Sequence, residues 1–350
     1  MLTADVKSST PGLPQTSATL GVAALCLLAR VPERLPDAGG WVVRLALMIA
    51  VLSAARTLVR APAAVALAAR GQAAVGAWLA GEARMAAGSV CLGVVLALPL
   101  HALLRATSSW WVFAWILVAA FTLAAQGLAP MLLRALAGPV TPAGPMLAAQ
   151  VRGIAGRAGV DVSRGVLLSG TEGRARGDAR VVGFGRSRRM VLDRALAAWP
   201  PELVDQVVAH AIGHWRLGHA STRLQLTLAV ELATAAIAAW LVDWPPLLDW
   251  AGAASAGDPR AYPFLALLAP VVVLPARLVL AWRDRAQERQ ADRFAIRLLG
   301  QPNAFTDMLE WAATEAGAPR TLRGWRRAIA SQPPIEERKA AATSLTGAWT

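Results

Sequence analysis

The sequence predicts a mainly α-helical membrane protein with about six spans and a small α+β insert on the cytoplasmic side. Of its 350 residues, 56% are hydrophobic and 16% are charged, whereas soluble domains carry about a quarter charged residues. Several apolar stretches approach the roughly 20 residues that a helix needs to cross a bilayer. Between residues 134 and 194 glycine, proline and arginine increase and long apolar runs stop, which indicates a soluble insert.

The chain before this insert contains four apolar segments. Thr16–Val31 is marginal as a span, and Trp41–Val59 is stronger. Arg60–Gly88 is rich in alanine and carries charges, which favours an amphipathic connecting helix, although it could contain another span. Ser89–Leu104 and Trp110–Leu133 follow, and the tryptophans that open the last segment are typical of a membrane interface. We therefore expect four spans before the insert.

The insert, Arg134–Arg194, has the pattern of a small α+β fold. Pro145–Gly159 shows helical periodicity. Gly165–Gly170, Ala179–Gly185 and Arg188–Asp193 are short, rich in β-branched or apolar residues and bounded by glycine or charge, which favours strands. About sixty residues form a small core, so we expect the insert to pack on the helix that follows it.

That helix is predicted over Pro201–His219, because proline suits the first helical turn. It continues into the apolar stretch Leu224–Val242, and a second apolar stretch, Phe264–Trp282, returns across the membrane. A charged helix, Arg283–Gly300, and a polar tail, Gln301–Thr350, complete the chain. Two spans after the insert bring the expected total to about six.

The net charge of +13 comes mostly from arginine. These arginines cluster between the apolar segments, so a positive-inside topology and contacts with anionic lipids explain them better than nucleic-acid binding does. The insert and the charged helix are therefore expected in the cytoplasm of an inner or plasma membrane protein. The expected organisation is 1–136, membrane spans; 137–221, insert and histidine helix; 222–282, membrane hairpin; and 283–350, charged helix and tail.

The chemistry is concentrated in the sequence HAIGH, which places His210 and His214 four residues apart. On a helix this spacing puts both imidazoles on one face, as in the HExxH motif that binds Zn²⁺. Glu288 can supply a third ligand, and Asp292, one turn further along, can orient a histidine ring. Two histidines and a carboxylate leave a fourth position open, which is the catalytic type of zinc site. Taken alone, the two histidines could also be ordinary core or surface residues.

Several separate motifs in this order resemble the integral-membrane zinc metalloproteases of the type I CAAX prenyl protease class, which are related to HtpX. They are RAGVDVSRGVLLSG, VVGFGRSRRMVLDRAL, VVAHAIGHWRLGH, ERQADRFAIRL and QPPIEERKAA. The resemblance extends from about Trp110 to Ala342. It implies a helical-barrel membrane fold that encloses a chamber, with zinc at the cytoplasmic rim. It also implies peptide, lipidated or membrane-protein substrates, because family members cleave prenylated CAAX proteins or degrade membrane proteins.

The resemblance also implies roles for individual residues. His210, His214 and Glu288 match the zinc ligands, and Asp292 matches a residue that supports a ligand. Arg338 matches an arginine near the substrate backbone or the developing oxyanion. A substrate peptide is expected to pair with one strand edge of the insert and the residues around it, namely Asp178, Ala179, Arg180, Val181, Val182, Gly183 and Phe184.

Three positions depart from the family pattern. Ala211 stands where the HExxH glutamate activates the zinc-bound water, and a methyl group can neither accept nor deliver a proton. Gln332 stands where the family usually has a histidine that stabilises the tetrahedral intermediate. Asp178 replaces the usual asparagine beside the edge strand. The sequence therefore predicts a catalytically impaired member of the class.

Four alternatives remain open at this point. The chain could be an inactivated copy of an active enzyme, or a non-catalytic protein that binds peptides or lipids and uses zinc structurally. It could be a transporter or scaffold from which zinc is lost. It could also be an active enzyme with a relocated base. The carboxylates that could serve as such a base are Glu310, Glu336 and Glu337.

Overall fold

The computed structural model describes residues 98–128, 140–163, 165–169, 177–183, 188–316 and 319–346, together with the isolated helical positions 43, 47 and 50. The expected span Thr16–Val31 and the connecting helix Arg60–Gly88 lie outside the described residues. So does the span Trp41–Val59, apart from the three isolated positions. Of the span Ser89–Leu104, residues 98–104 are described, and they are helical.

Helices dominate the described residues, and four short strands interrupt them. The helices are α1 (Trp110–Gly127), α2 (Pro145–Arg157), α3 (Pro201–Arg216), α4 (His219–Val242), α5 (Pro245–Ala251), α6 (Tyr262–Leu299), α7 (Pro302–Ala316), α8 (Gly324–Ile329) and α9 (Ile335–Thr346). The strands are β1 (Thr141–Pro142), β2 (Val166–Ser169), β3 (Ala179–Val182) and β4 (Arg189–Asp193). The prediction of a mainly α protein with a small α+β insert is confirmed.

The four strands form one sheet in the order β1-β2-β4-β3. β4 runs parallel to β2 and antiparallel to β3, with Ala179 opposite Leu192 and Val182 opposite Arg189. The three strands predicted from the sequence are present. Within the described sheet β3 is the last strand, so one of its edges is available for a further strand.

The chain divides into two compact units. One contains residues 1–7, 119–230 and 277–350, and the other contains residues 8–118 and 231–276. In the first unit the sheet, α2, α3 and the C-terminal helices share one hydrophobic core, which includes Met190, Val208, Ile212 and Phe305, each fully buried. The predicted insert therefore packs on the histidine helix, as its small size requires. The four-part organisation expected from the sequence stays a prediction.

The second unit is stabilised by a smaller core and by a loop held against a helix. Trp110, Val242 and Ala256 are buried together. Arg105 donates a hydrogen bond of 3.2 Å to the carbonyl oxygen of Gly257. A side chain on Gly257 would lie 2.8 Å from Cγ of Arg105, so the loop approaches this helix closely at a residue without a Cβ.

Two helices in the described part of the chain are long and apolar enough to cross a membrane, α1 and α4. Their most apolar windows have mean hydropathies of 1.5 and 1.6, and only 11% and 6% of those windows are buried. Phe121 on α1 and Trp240 on α4 are 74% and 69% exposed. Side chains of this size are costly to expose to water, so these surfaces suit lipid. The expected number of about six spans stays a prediction, because the first two lie outside the described residues.

Candidate metal centre

Two helices bring the three expected ligands together. His210 and His214 lie on one face of α3, and Glu288 projects from α6. The Nε2 atoms of the two histidines are 3.1 Å apart. Glu288 Oε2 lies 3.5 Å from Nε2 of His210, and Oε1 lies 3.3 Å from Nε2 of His214. One donor atom from each residue thus lies within 4.8 Å of the others.

This triangle of donor atoms fits a zinc ion. Nitrogen and oxygen ligands bind Zn²⁺ at about 2.0–2.2 Å in a tetrahedral arrangement, which separates any two ligands by about 3.3–3.6 Å. The two Glu288–histidine distances, which run to different carboxylate oxygens, are 3.5 and 3.3 Å, and the two Nε2 atoms are slightly closer together, at 3.1 Å. Oε2 of Glu288 is buried and has no hydrogen-bond partner among the described residues. A buried carboxylate oxygen without a partner is costly, and a cation at the centre of the triangle satisfies it.

A glycine allows the two ligand helices to approach so closely. A Cβ on Gly213 would lie 3.0 Å from Cδ1 of Phe294 and 3.3 Å from both Cα and the carbonyl oxygen of Ala291. Gly213 precedes His214, and Ala291 lies between Glu288 and Asp292. The helices are therefore in near-backbone contact beside the ligands, and this contact sets the distance that the metal bridges.

Replacing Gly213 with alanine is expected to weaken zinc binding about 10-fold. The added methyl group meets backbone atoms that cannot rotate away, and overpacking of this kind costs about 1–3 kcal/mol. If the strain pushes the ligand helices apart, a loss of about 1.4 kcal/mol in binding free energy lowers zinc affinity tenfold. Competition with a chromophoric chelator measures the change.

Gly153→Ala is the matched control, because Gly153 also lies in a helix and an added Cβ there has no neighbour within 4 Å. This substitution is expected to leave zinc affinity unchanged and to stabilise the helix by up to about 1 kcal/mol. Equal zinc affinities for the two variants would contradict the role of the close helix contact.

His210 is oriented by a buried carboxylate. Its Nδ1 lies 2.9 Å from Oδ1 of Asp292, and the Arg338 guanidinium binds both oxygens of Asp292 at 2.6 and 2.8 Å. The side chains of Asp292 and Arg338 are 8% and 10% exposed. When Nδ1 donates to this carboxylate, Nε2 of His210 presents its lone pair to the metal. Arg338 thus contacts Asp292, the residue that orients the metal ligand His210.

Burial and neighbouring charges shift the pKa values of His210, Asp292 and Glu288. Burial alone lowers the pKa of His210, but the carboxylates of Asp292 and Glu288 raise it to about 9. Burial raises the pKa of Asp292, but Arg338 and His210 hold it below its ordinary value. Burial likewise opposes ionisation of Glu288, and the two imidazoles keep the pKa of Glu288 well below its usual range. Both carboxylates are therefore ionised at neutral pH and available to a cation.

The three positions that depart from the family pattern occupy different surroundings. Ala211 is 2% exposed and belongs to the hydrophobic core of the first unit. Gln332 is exposed in the turn before α9, and Asp178 is exposed next to β3. Position 211 immediately follows a ligand, and its side chain is a methyl group in an apolar environment.

The residues expected to pair with a substrate lie on or beside β3. Ala179, Arg180, Val181 and Val182 form the strand. Gly183, with φ of 93°, adopts a backbone conformation that favours glycine at the point where the strand ends. Phe184 lies outside the described residues. Since β3 pairs with β4 and has no further partner in the described sheet, it is positioned to accept an added strand.

Comparisons with known proteins identify the family. Residues 146–346, more than half of the chain, match the model of peptidase family M48. The chain belongs to this family. The matched residues include the whole ligand set, and M48 peptidases are zinc metalloproteases. The expectation of Zn²⁺ as the cofactor is therefore supported by both family and geometry.

A solved structure with a similar fold is that of Ste24p from S. mikatae. It superposes on this M48 chain with a TM-score of 0.63 and 15% sequence identity, over 84% of this chain and 76% of that chain. At this identity the likeness concerns the fold. A comparison with curated protein sequences gives no match.

Some features of the centre could not be found from the sequence. Arg338 was expected near the substrate, whereas its described contact is with Asp292. The close approach at Gly213 had no signal apart from a glycine in the middle of a helix. Gln290 gave no signal at all, and its contact with His219 appears only in the structure.

Proposed function

We propose that this M48 protein is a membrane-embedded zinc protein of the CAAX prenyl protease class that retains metal and peptide binding but is impaired in hydrolysis. The observation that carries the proposal is Ala211, a buried methyl group beside a complete set of zinc ligands. The ligands would hold Zn²⁺, which supplies Lewis acidity and an acidic bound water when present. What is missing is the carboxylate that moves the proton.

The size of the defect follows from general catalysis. Loss of a general base costs about 10²- to 10⁴-fold in rate, and loss of an oxyanion donor, as at Gln332, costs about 10²- to 10³-fold. Such losses within one catalytic unit do not add. Either one alone leaves a slow enzyme, so peptide binding without efficient turnover is the expected behaviour.

The carboxylates considered as a relocated base are engaged elsewhere. Glu310 pairs with Arg320 and Lys339. Glu336 also pairs with Arg320, at 3.7 Å. Glu337 binds Arg289 and Arg327 at 3.2 and 2.8 Å. The three carboxylates are 33–48% exposed and each is paired with at least one arginine, which disfavours an active enzyme with its base moved to one of these residues.

A second candidate function is a scaffold in which zinc is purely structural and the protein binds peptides or lipids. It is favoured by the way the ligand triangle joins α3 to α6, elements far apart in sequence, because a metal that joins such elements contributes directly to folding. Peptide binding at β3 and lipid binding around α1 and α4 remain available to such a protein. The arginine distribution supports a cytoplasmic zinc site in both cases.

The full-length protein purified in detergent tests the proposal. Elemental analysis is expected to give about one zinc per chain. Incubation with prenylated and unmodified peptides is expected to give peptide binding and no chelator-sensitive cleavage. An active M48 peptidase assayed in parallel cleaves the same peptides. Chelator-sensitive cleavage by the native chain at the rate of that active enzyme would contradict impaired hydrolysis.

A further inference from the structure

A third histidine lies against the metal centre, in contact with His214. His219 is the first residue of α4 and is 4% exposed. Its Nδ1 lies 3.0 Å from Nδ1 of His214, and the two rings meet edge-on with centroids 4.9 Å apart. On the far side of the ring, Nε2 of His219 lies 3.0 Å from Oε1 of Gln290 on α6.

The direction of these hydrogen bonds follows from Gln290, whose amide oxygen is the acceptor at the end of the series. The amide oxygen of Gln290 can only accept, so Nε2 of His219 carries the hydrogen. A neutral imidazole with hydrogen on Nε2 has a lone pair on Nδ1, and therefore Nδ1 of His214 must be the donor. The lone pair of His214 is then on Nε2, the atom that faces His210 and Glu288.

Separate contacts fix the backbone that carries His219. Gly218, with φ of 68°, makes the left-handed turn between α3 and α4. The carbonyl oxygen of His219 accepts hydrogen bonds from Gln287 Nε2 at 3.3 Å and from Thr222 Oγ1 at 3.1 Å. Gln287, which is 3% exposed, also donates to Thr222 Oγ1 at 2.9 Å. Both ends of the histidine are thus held, the backbone by Gln287 and the ring by Gln290.

We propose that His219 is a positioning residue of the metal centre, which with Gln290 holds His214 in the tautomer and orientation that present Nε2 to zinc. The inference rests on the zinc site of the proposed function. The two histidine ligands then have different supports: Nδ1 of His210 faces a carboxylate backed by Arg338, and His214 donates to a neutral imidazole backed by an amide. The neutral support orients the ligand and adds no negative charge beside Glu288.

The test replaces His219 in the full-length protein and measures metal binding directly. His219→Phe keeps an aromatic ring and removes the acceptor, and loss of such a ligand support lowers zinc affinity about 10- to 100-fold. His219→Gln offers an amide oxygen to His214 and is expected to recover most of that affinity. Chelator competition gives the affinities, and the visible spectrum of the Co²⁺-substituted protein reports ligand geometry, which is expected to change in His219→Phe and to return in His219→Gln.

A second pair of variants covers the case in which His219→Phe does not fold. Gln290 is exposed, so Gln290→Ala leaves the core intact and is expected to weaken zinc binding by up to about 10-fold. Gln225→Ala, at an exposed residue of α4, is the matched control and is expected to bind zinc like the native chain. Native zinc affinity and an unchanged Co²⁺ spectrum in His219→Phe, or in Gln290→Ala if the first variant is unfolded, overturn the inference. A native chain that binds no zinc overturns the proposed function instead.

Discussion

Replacing Ala211 with glutamate is expected to raise zinc-dependent peptide hydrolysis by at least about 10²-fold over the native chain. The substitution places a carboxylate one residue after His210, where it would serve as general base and then as general acid for the leaving amine, while His210, His214 and Glu288 would hold the zinc that supplies Lewis acidity. The ligands and their supports are already in place, so the base is the main missing part. The measurement is kcat/KM on peptides that the native protein binds, with and without a chelator.

The control for this gain is Ala211→Gln, which has nearly the same volume and cannot act as a base at neutral pH. Because position 211 is 2% exposed and lies in an apolar core, both variants strain the packing equally. A rate increase shared by both would assign the effect to packing and contradict the proposed defect. Adding Gln332→His to Ala211→Glu is expected to raise the rate further, by up to about 10²- to 10³-fold.

Replacing Arg338 with methionine is expected to destabilise the protein by about 3–5 kcal/mol. Asp292 is 8% exposed, and removing the guanidinium that binds both its oxygens leaves a buried carboxylate with His210 as its one described partner. Removing one partner of a buried ion pair is far more costly than the loss of a surface ion pair. The free energy of unfolding of the zinc-free protein in detergent measures the effect.

Two variants define what this result means. Arg320→Met removes a guanidinium that is 52% exposed and pairs with Glu310, and it is expected to cost no more than about 1 kcal/mol. Asp292→Leu combined with Arg338→Met removes both charges and is expected to recover part of the lost stability. If Arg338→Met is as stable as Arg320→Met and lowers only the activity of the Ala211→Glu protein, Arg338 acts on the substrate, as the family resemblance implies.

Local patterns predicted local structure well. The four-residue spacing of His210 and His214 places both on one helix face, and the strand patterns of β2, β3 and β4 were recognised because each run is short and bounded. β1 was missed, since two residues that include a proline give no periodicity. Helix geometry determines such features within a few residues.

Features that depend on distant parts of the chain were less accessible. Glu288 was proposed as a third ligand from its place in the charged helix, and the family resemblance pointed to the same residue, but spacing along the chain does not show that α6 meets α3. The pairing of Asp292 with Arg338 and of His219 with Gln290 joins residues 46 and 71 positions apart. Such contacts are set by tertiary packing, and neither composition nor periodicity encodes which polar groups will meet. The number of spans stays a prediction because most of the chain before residue 98 lies outside the described residues.

The near-backbone contact at Gly213 also has a consequence for ionic size. It lies beside donor atoms whose spacing suits bonds of about 2.0–2.2 Å, shorter than the bonds of about 2.3–2.6 Å that Ca²⁺ forms. The contact between Gly213 and Ala291 is made by two main chains and does not depend on the side chain at position 211. We therefore expect the native chain and Ala211→Glu to share the same preference for a small cation.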